Sequence, residues 1–301
     1  MAKQKVGVIG LGSMGLGVAK TLVSKGFEVH ACDVRPEVVA GFVKDGGVAA
    51  ATPGDLGAAV PIAIVLVVNA DQTDQVLFGP NGAAERMAPG SVVIASSTVA
   101  PEYAIQLGKR LADKGLLMID APVSGGAARA AKGEMTIMGS GVPEAFDKAK
   151  AVLDAIAVKV YRLGDVAGPG SKVKMINQLL AGVHIAAACE AMALGMKAGV
   201  DPKVLYEVIS NSAGSSWMFQ NRVPHIIDGD YTPLSAVNIF VKDLGIVLDS
   251  ARKMTFPLPI TASAHQLYLA AAAHGHGFED DSAVVKVFAT LAGLDLPAKK
   301  D

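Results

Sequence analysis

The stretch Gly168–Gly199, GPGSKVKMINQLLAGVHIAAACEAMALGMKAG, decides the fold. It is rich in Ala, Leu, Met and Lys and has no proline after Pro169, which predicts one long helix. About thirty residues at ~1.5 Å each give a rod of about 45 Å, long enough to cross a whole domain. Ser171 is a candidate N-cap, and Gly199 is suited to end the helix. We therefore expect this helix to join two differently built halves of the chain.

The middle of this stretch, residues 179–196, is almost entirely apolar and would also suit a membrane span. His184 and Glu190 lie inside it, and each would be costly in hydrocarbon. Its many small residues suit close packing against other helices in a protein core. The stretch therefore predicts a buried central helix and no membrane partner.

Composition indicates a two-domain protein of a reducing compartment. The chain has 301 residues, of which 51% are hydrophobic, enough for two cores. Its net charge is −1 and no basic stripe is present, so we expect no nucleic-acid partner. The two cysteines, Cys32 and Cys189, lie far apart in apolar runs. With no signal peptide recognisable at the start, a cytoplasmic location is expected.

The N-terminal half begins with a strand, a glycine turn and a helix. The β-branched run Lys5–Ile9 leads into a turn, and a second predicted strand, Phe27–Cys32, ends at Asp33. This pattern is typical of the Rossmann dinucleotide-binding motif, in which the glycines admit the pyrophosphate and the acidic residue binds the ribose. The predicted cofactor residues here are Gly10, Leu11, Gly12, Ser13, Met14, Gly15 and Asp33.

The residue Asp33 also indicates which dinucleotide binds. A carboxylate there accepts hydrogen bonds from both ribose hydroxyls and would repel the 2′-phosphate of NADP, so NAD is the predicted cofactor. Arg35 could pair with that phosphate, but we interpret it as a solvated surface arginine.

The β-α alternation continues along the chain. Strands are predicted at Ile62–Val68, Ser91–Ala95 and Leu116–Ile119, and two more at Met135–Met138 and Val158–Leu163 are expected to extend the same sheet. In a doubly wound sheet the ligand lies off the carboxyl ends of the strands, so residues just after them are candidates to line the cofactor. These are Val68, Asn69 and Thr98. Thr98 would serve equally well as the N-cap of a helix starting near Pro101.

After Leu116–Ile119 comes the segment Asp120-Ala-Pro-Val-Ser-Gly-Gly126. A glycine pair after a strand offers backbone N–H groups that can hold a carboxylate, with Ser124 adding a hydroxyl donor. The candidate substrate-binding residues are therefore Ser124, Gly125 and Gly126. A plain turn explains the two glycines as well.

Strand signals stop after Gly164, and the rest of the chain is predicted to be helical. Besides the long helix, the predicted helices are Pro202–Asn211, Val237–Lys253, Leu258–Ala273 and Ser282–Leu291. We therefore predict an α/β Rossmann-type doubly wound sheet at residues 1–165, which binds NAD. An all-α domain at residues 166–301, joined to it by one long helix, would serve substrate binding and oligomerisation, with a cleft between the two.

Two polar residues near the start of the long helix are candidates for chemistry. Lys174 and Asn177 are three residues apart and share a helix face. A lysine that is partly desolvated in a cleft can exchange a proton with a substrate oxygen near neutral pH. Most lysines are simply solvated, and by spacing alone Lys174 could be one of these, as Lys172 is expected to be.

Five ordered motifs are similar to those of the β-hydroxyacid dehydrogenases, which include 3-hydroxyisobutyrate dehydrogenase and tartronate semialdehyde reductase. They are GLGSMG, SSTVAP, DAPVSGGAARAAKGEM, GPGSKVKMINQ and FVKDLGIV, and they cover nearly the whole chain. Three further segments resemble the members that oxidise a four-carbon sugar acid with NAD. These are NQLLAGVHIAAACEAMAL, SSWMFQNRVPHIIDGDYTP and EDDSAVVKVF.

The resemblance implies a role for each matching residue. Lys174 would be the acid/base, the Ser124–Gly126 loop would hold the substrate carboxylate, and Asn177 would orient the substrate. Thr98 would lie by the nicotinamide, and Lys242 would approach the cofactor from the helical domain. Members of the family form dimers or tetramers, so a homodimer or homotetramer is expected. This chain departs from the family at Gln178, where many members carry a second asparagine.

Two histidines and three residues of another segment are weaker candidates for a site. His274 and His276 lack a carboxylate or cysteine at useful spacing, so no metal site is predicted. Trp217, Phe219 and Asn221 could line the substrate pocket or pack between helices. The chain could also be an NAD-binding sensor without catalysis, but Lys174 and the Ser124–Gly126 loop are both retained, which favours an enzyme acting on a small hydroxy acid.

Overall fold

The computed structural model describes residues 3–299. Parallel β-α units build its first part, in which apolar strand residues are buried on both faces of a sheet. The strands are β1 Lys5–Ile9, β2 Glu28–Cys32, β3 Val48–Ala49, β4 Ile62–Val65, β5 Val92–Ala95, β6 Leu117–Asp120, β7 Val123–Ser124, β8 Met135–Gly139 and β9 Ala157–Arg162. The helices of this part are α1 Gly15–Ser24, α2 Pro36–Lys44, α3 Pro53–Ala59, α4 Ala70–Phe78, α5 Pro101–Ala112, α6 Gly126–Ala130 and α7 Pro143–Ile156.

The main sheet has six strands in the order β3-β2-β1-β4-β5-β6, all parallel. One face packs on α1 and α7 through residues such as Val18 and Phe146. The other face packs on α3, α4 and α5 through Leu56, Leu77 and Leu107. Helices on both faces and a strand order that reverses between β1 and β4 define the predicted doubly wound sheet, and the prediction is confirmed.

The expectation that the last two strands extend this sheet is wrong. Strands β7, β8 and β9 form a separate sheet of three strands, in which β7 is antiparallel to β8 and β8 is parallel to β9. A single bridge between Asp120 and Ser140 connects the end of β6 to the segment after β8. Strand β7, which follows β6 after two residues, pairs with β8 and not with the main sheet, so β8 and β9 belong to the new sheet.

The long helix is present as α8, Pro169–Lys197, as the sequence predicts. It begins at Pro169, so Ser171 lies within its first turn and the proposed N-cap role of Ser171 is wrong. The described chain divides into two compact units inside this helix, the first ending at Lys174 and the second beginning at Met175. Lys174 is therefore the last residue of the α/β unit.

The second unit is helical. It contains the rest of α8, α9 Pro202–Ser210, α10 Trp217–Asp228, α11 Val237–Lys253, α12 Pro259–Ala271 and α13 Val285–Ala292, together with short 3-10 and π turns at Asp281–Val284 and Ala272–His276. Its core includes Ile185, Met192, Phe240 and Tyr268. Helix α10 was missed because Pro224 interrupts its pattern, although Ser216 as N-cap and Gly229 as C-cap are sequence signals for it.

By length and composition, α8 could cross a membrane. Its residues Ile185, Cys189 and Met192 are instead fully buried in the core of the second unit. Apolar residues on another face, including Ile176, Leu180 and Leu194, are about half exposed or more, at 52%, 49% and 68%. The helix is thus a core element of a folded unit with an additional exposed apolar face.

Candidate active site

The carboxyl ends of the parallel strands form one edge of the main sheet. The last residues of five strands are direct cross-strand neighbours, in the order Cys32, Ile9, Val65, Ala95 and Asp120. The loops that follow these strands therefore leave from the same edge, which is where ligands bind in open parallel sheets. These loops carry the predicted cofactor residues of the first unit and lead into the Ser124–Gly126 segment.

The glycine turn after β1 has the geometry that a dinucleotide requires. Gly10 has φ +94°, and a Cβ atom there would lie 2.7 Å from the carbonyl oxygen of Leu66. A Cβ atom on Gly15 would lie 1.9 Å from the Gly10 carbonyl oxygen, so the close start of α1 requires glycine. Among described residues other than its chain neighbours, nothing lies within 4 Å of a Cβ built on Gly12. That open space leaves room for a pyrophosphate beside the backbone.

The carboxylate of Asp33 is bound to this turn. Its Oδ2 accepts a hydrogen bond from the Leu11 amide at 2.6 Å. Arg35 donates its backbone N–H and Nε to Asp33 Oδ1, both at 2.9 Å, and its Nη2 to Oδ2 at 3.1 Å. The same Nη2 donates to the Leu11 carbonyl at 3.0 Å. Arg35 is exposed, as expected of a surface arginine, and it also forms an ion pair with Asp33.

These contacts lower the pKa of the Asp33 carboxyl. Burial acts to raise the pKa of this carboxyl, but hydrogen bonds from Arg35 and from the Leu11 amide outweigh it and lower the pKa. A carboxylate has about four acceptor positions. On Asp33, four hydrogen bonds from Leu11 and Arg35 already occupy them. Binding of the ribose hydroxyls therefore requires Arg35 to break some of its hydrogen bonds to Asp33. With that change, the turn and Asp33 fit an adenine dinucleotide.

The residues after β4 and β5 also face this edge. Asn69 is the N-cap of α4, with its Oδ1 accepting from the Gln72 amide at 2.8 Å, and Val68 is 47% exposed. Helix α5 has Ala100 as its N-cap, so the alternative in which Thr98 caps that helix is wrong. A contact between Thr98 and the nicotinamide stays a prediction.

The Ser124–Gly126 segment is a junction between a short strand and a short helix. Ser124 pairs with Thr136 of β8, and α6 begins at Gly126. Gly125 has φ +131°, a conformation that L side chains rarely adopt. Apart from chain neighbours, no described atom lies within 4 Å of a Cβ built on Gly126, so that side of the loop is open to a ligand. These features make a site for a small anion sterically possible.

Lys174 is held against this same segment. Its Nζ donates a hydrogen bond to the carbonyl oxygen of Val123 at 2.8 Å, and the residue is only 8% exposed. Val123 directly precedes Ser124. The structure therefore brings the predicted acid/base and the predicted carboxylate loop together within the first unit, and the interpretation of Lys174 as an ordinary solvated lysine is wrong.

The start of α8 lies very close to the backbone of two strands. A Cβ atom on Gly170 would be 2.4 Å from the Met138 carbonyl oxygen and 2.6 Å from that of Asp120. Real Cβ atoms do not approach backbone oxygens this closely, so glycine is required here. Asp120 itself, which the sequence analysis did not single out, accepts hydrogen bonds from this end of the helix.

Replacing Gly170 by alanine is expected to lower the free energy of unfolding by about 1–3 kcal/mol, because overpacking forces the helix start away from the strands. Gly41 of α2 is the matched control, since a Cβ there meets no described atom within 4 Å apart from its neighbours. Gly41→Ala should instead stabilise by up to about 1 kcal/mol. Urea unfolding of both variants measures the difference, and equal effects would contradict the steric argument.

The other predicted site residues, Asn177 and Lys242, lie in the second unit and are linked by two hydrogen bonds and an ion pair. Asn177 Nδ2 donates to Gln178 Oε1 at 3.0 Å, and Gln178 Nε2 donates to Asp243 Oδ2 at 2.6 Å. Lys242 Nζ pairs with Asp243 Oδ1 at 2.6 Å. Gln178, where the chain departs from the family, thus connects Asn177 to the segment that carries Lys242. This link is a tertiary contact and could not be read from the sequence.

Helix α10 carries the aromatic residues that sequence analysis left open. Phe219 is 4% exposed and stacks on Tyr206 with ring centroids 6.0 Å apart, so it packs between helices. Asn221 accepts a hydrogen bond from Arg222, which pairs with the buried Asp281. Trp217 is 52% exposed at the start of the helix, and its predicted role in a substrate pocket stays a prediction.

Family models match both parts of the chain. Residues 5–164 match the NAD binding domain of 6-phosphogluconate dehydrogenase. Residues 168–288 match the NAD-binding domain of NADP-dependent 3-hydroxyisobutyrate dehydrogenase. The boundary between the two matched regions lies just before α8.

Individual proteins are similar over nearly the full length. The L-threonate dehydrogenase of Cupriavidus necator is 64% identical over 99% of both chains. The mitochondrial 3-hydroxyisobutyrate dehydrogenase of Rattus norvegicus is 33% identical over 94% of this chain and 86% of its own. A crystal structure of a 3-hydroxyisobutyrate dehydrogenase from Salmonella typhimurium is 50% identical, with a TM-score of 0.91 over 95% of this chain and 100% of that one. With the glycine turn, Asp33 and Lys174 in place, the chain belongs to the 3-hydroxyisobutyrate dehydrogenase-like family of NAD-dependent β-hydroxyacid dehydrogenases.

Proposed function

We propose that the protein oxidises L-threonate to 2-dehydro-L-erythronate with NAD, using Lys174 as the acid/base. The observation that carries the proposal is the 2.8 Å hydrogen bond between Lys174 Nζ and the Val123 carbonyl. It holds the amine beside the loop that would bind a substrate carboxylate. The 64% identical relative named for this activity supports the choice of substrate.

In this proposal each residue has a defined task. The Ser124 hydroxyl and the backbone N–H groups of Gly125 and Gly126 hold the carboxylate of the substrate. Lys174, in its neutral form, takes the proton of the reacting 2-hydroxyl group. Asn177, three residues further along α8, presents its amide to a second hydroxyl on the same helix face.

The remaining predicted residues hold the dinucleotide. The turn from Gly10 to Gly15 would bind the pyrophosphate, Asp33 the adenosine ribose, and Val68, Asn69 and Thr98 the nicotinamide half. Lys242 would approach the cofactor from α11. When bound, NAD supplies C4 of its nicotinamide as the acceptor of the hydride that leaves C2 of the substrate.

Cofactor choice is expected to depend on Asp33. The parent protein should prefer NAD over NADP in kcat/KM, because the carboxylate binds the ribose hydroxyls and repels a 2′-phosphate. Asp33→Ala should narrow that preference, since it removes the repulsion and frees Arg35, which now pairs with Asp33, to meet the phosphate. Steady-state rates with both cofactors measure the change.

The double variant Asp33→Ala/Arg35→Ala is the control for this prediction. It should lose NAD efficiency and gain less NADP efficiency than Asp33→Ala does, because the repulsion is removed but no arginine remains at this position to bind the phosphate. Equal use of NAD and NADP by the parent protein would contradict the assignment of Asp33.

A second candidate function is the oxidation of 3-hydroxyisobutyrate, which the name of the Salmonella typhimurium structure favours. Tartronate semialdehyde reduction is a further alternative within the family. The two main candidates differ geometrically, because the reacting carbon of L-threonate is bonded to the carboxylate carbon, whereas that of 3-hydroxyisobutyrate is one carbon further away. Initial rates of NADH formation over three- and four-carbon hydroxy acids decide between them. A chain that binds NADH but turns over none of them would be an NAD-binding sensor.

We further propose a cytoplasmic homodimer or homotetramer without nucleic-acid or membrane partners. The exposed apolar residues Ile176, Leu180 and Leu194 of α8 support self-association through the helical unit, as do Val204 and Val208 of α9. Light scattering on the purified protein measures the number of subunits.

A further inference from the structure

A buried carboxylate from the main sheet receives the first turn of the long helix. Asp120, the last residue of β6, is 1% exposed. Its Oδ2 accepts from the backbone N–H groups of Gly168 at 3.0 Å and Ser171 at 2.9 Å, and its Oδ1 accepts from the Ser171 hydroxyl at 2.7 Å. The Ser140 hydroxyl also contacts Oδ2, at 3.3 Å. The N–H groups that a helix start normally leaves unpaired are thus satisfied from another element.

Other groups at this helix start complete the arrangement. Pro169 has no N–H, and the Gly170 N–H donates to the Ser140 hydroxyl at 2.9 Å. Asp120 and Ser140 are also joined by two backbone hydrogen bonds, each of 2.8 Å. Helix α8 is therefore capped by Asp120 of β6 and by Ser140, the residue that follows β8.

The segment from Asp120 to Val123 makes a second contact with the same face of helix α8. Asp120 and Val123 are three residues apart, and so are their partners Ser171 and Lys174. Residues three apart lie on one face of a helix. Both pairs belong to the first unit. Rotation or sliding of the helix start would therefore break both contacts together.

We propose that Asp120 is a positioning residue that sets the location of Lys174 beside the Ser124–Gly126 loop. The inference rests on the proposed role of Lys174 as the acid/base. Asp120 does not touch the reacting atoms in this account. It fixes the helical turn from which the Lys174 side chain extends. Asp120 also belongs to the same continuous segment as the proposed carboxylate site, Ser124–Gly126.

The energetics agree with a positioning role. Burial raises the pKa of the Asp120 carboxyl, against the lowering effect of hydrogen bonds from Ser171, Gly168 and Ser140. The position of this carboxyl at a helix N-terminus acts in favour of its ionised form, through the helix dipole. Loss of the acceptor would leave buried N–H groups unpaired, and the helix start would be free to shift. A misplacement of about 1 Å is enough to cost about 10²-fold in rate.

The test uses Asp120→Asn, which keeps the size of the side chain but cannot accept all of the same hydrogen bonds. We expect kcat to fall by about 10²-fold, with KM and NADH affinity changed by no more than about threefold. A second readout needs no substrate. Acylation of Lys174 by an amine-reactive reagent, followed by mass spectrometry with the exposed Lys172 as internal reference, should become faster when Lys174 loses its fixed contact.

Asp280→Asn is the matched control. Asp280 is also fully buried, and its carboxylate accepts from the Ser282 amide and hydroxyl and from the Leu234 amide, but it lies in the second unit. It should lower thermal stability, as Asp120→Asn does, while leaving the kcat of the folded protein and the labelling of Lys174 unchanged. A purely structural role for Asp120 would make the two variants behave alike.

Ser171→Ala keeps the inference testable if Asp120→Asn does not fold. It removes one hydrogen bond to Asp120 and should give a smaller loss of kcat with faster Lys174 labelling. The inference is overturned if kcat stays within about threefold of the parent, or if turnover falls without any change in Lys174 labelling. If labelling changes but Lys174→Ala remains active, the acid/base assignment fails and the positioning of Lys174 by Asp120 stands.

Discussion

Replacing Lys174 by alanine is expected to lower kcat by about 10²- to 10⁴-fold, the usual contribution of a positioned acid or base. The variant should still bind NADH, because it leaves the glycine turn and Asp33, the groups proposed to hold the adenosine half of the dinucleotide, in place. The fall in kcat is expected because Lys174 is the group proposed to take the proton of the reacting hydroxyl. Stopped-flow or steady-state oxidation rates, with NADH binding followed by fluorescence, measure both quantities.

Two further variants separate proton transfer from charge and from stability. Lys174→Arg keeps a cation with several donors but cannot give up its proton at neutral pH, so it should be nearly as impaired as the alanine variant. Lys172→Ala removes an exposed lysine from the same helix turn and should leave kcat unchanged. An arginine variant close to parental activity would indicate that Lys174 contributes its positive charge to catalysis and does not transfer a proton. A Lys174→Ala protein within about threefold of the parent would remove the assignment altogether.

Local patterns predicted five of the six strands of the main sheet and the long helix, but not the two-residue strand β3. The run Lys5–Ile9, the glycine turn and Asp33 are adjacent in sequence, and their chemistry has one common structural solution. The helix Pro169–Lys197 follows from a long run of good helix formers bounded by proline and glycine. In these places the contacts that stabilise the structure lie within a few residues of each other or repeat with a fixed period.

The contacts that create the candidate site are not local. Lys174 and Val123 are 51 residues apart in sequence, and Asp120 and Ser171 are equally far apart. Neither pairing has a periodic signature, and Asp120 looks from the sequence like an ordinary strand-end residue. The separate sheet around β8 was missed for the same reason, because strand signals do not say which edge a strand joins. Tertiary geometry was needed to identify these features.

The arrangement around Lys174 also constrains the substrate. A carboxylate held by Ser124, Gly125 and Gly126 would lie near the amine, because Val123, the hydrogen-bond partner of Lys174, directly precedes Ser124. In the proposed function, the substrate therefore presents its carboxylate and its reacting hydroxyl to neighbouring groups of the protein. The family-wide lysine and loop serve both candidate substrates, so the choice between them has to come from other residues.

Polar groups beyond the reacting carbon should supply the rest of the specificity. Asn177 donates its Nδ2 to Gln178, so its amide oxygen is the atom proposed to accept from a substrate hydroxyl. The chain of hydrogen bonds through Gln178 to Asp243 restricts rotation of this amide. Asn177→Ala is therefore expected to lower kcat/KM for L-threonate more than for an analogue without distal hydroxyls. Asn211→Ala, which removes an exposed asparagine of the same unit, is the control and should change neither.

L-Threonate itself is expected to exceed 3-hydroxyisobutyrate in kcat/KM by about 10⁴-fold, since a site built to bind substrate hydroxyls rejects an analogue that leaves its buried polar groups unpaired. One missing methylene in an apolar pocket would give only about 10- to 200-fold, so the size of the ratio distinguishes a polar from an apolar site. Glycerate, which keeps the 2-hydroxyl but lacks the fourth carbon, should fall between the two. The measurement is initial NADH formation with each acid at the same saturating NAD concentration. Turnover of 3-hydroxyisobutyrate or glycerate as efficient as that of L-threonate would contradict the proposed substrate, because the reacting carbon and the distal hydroxyls would then contribute nothing to selection.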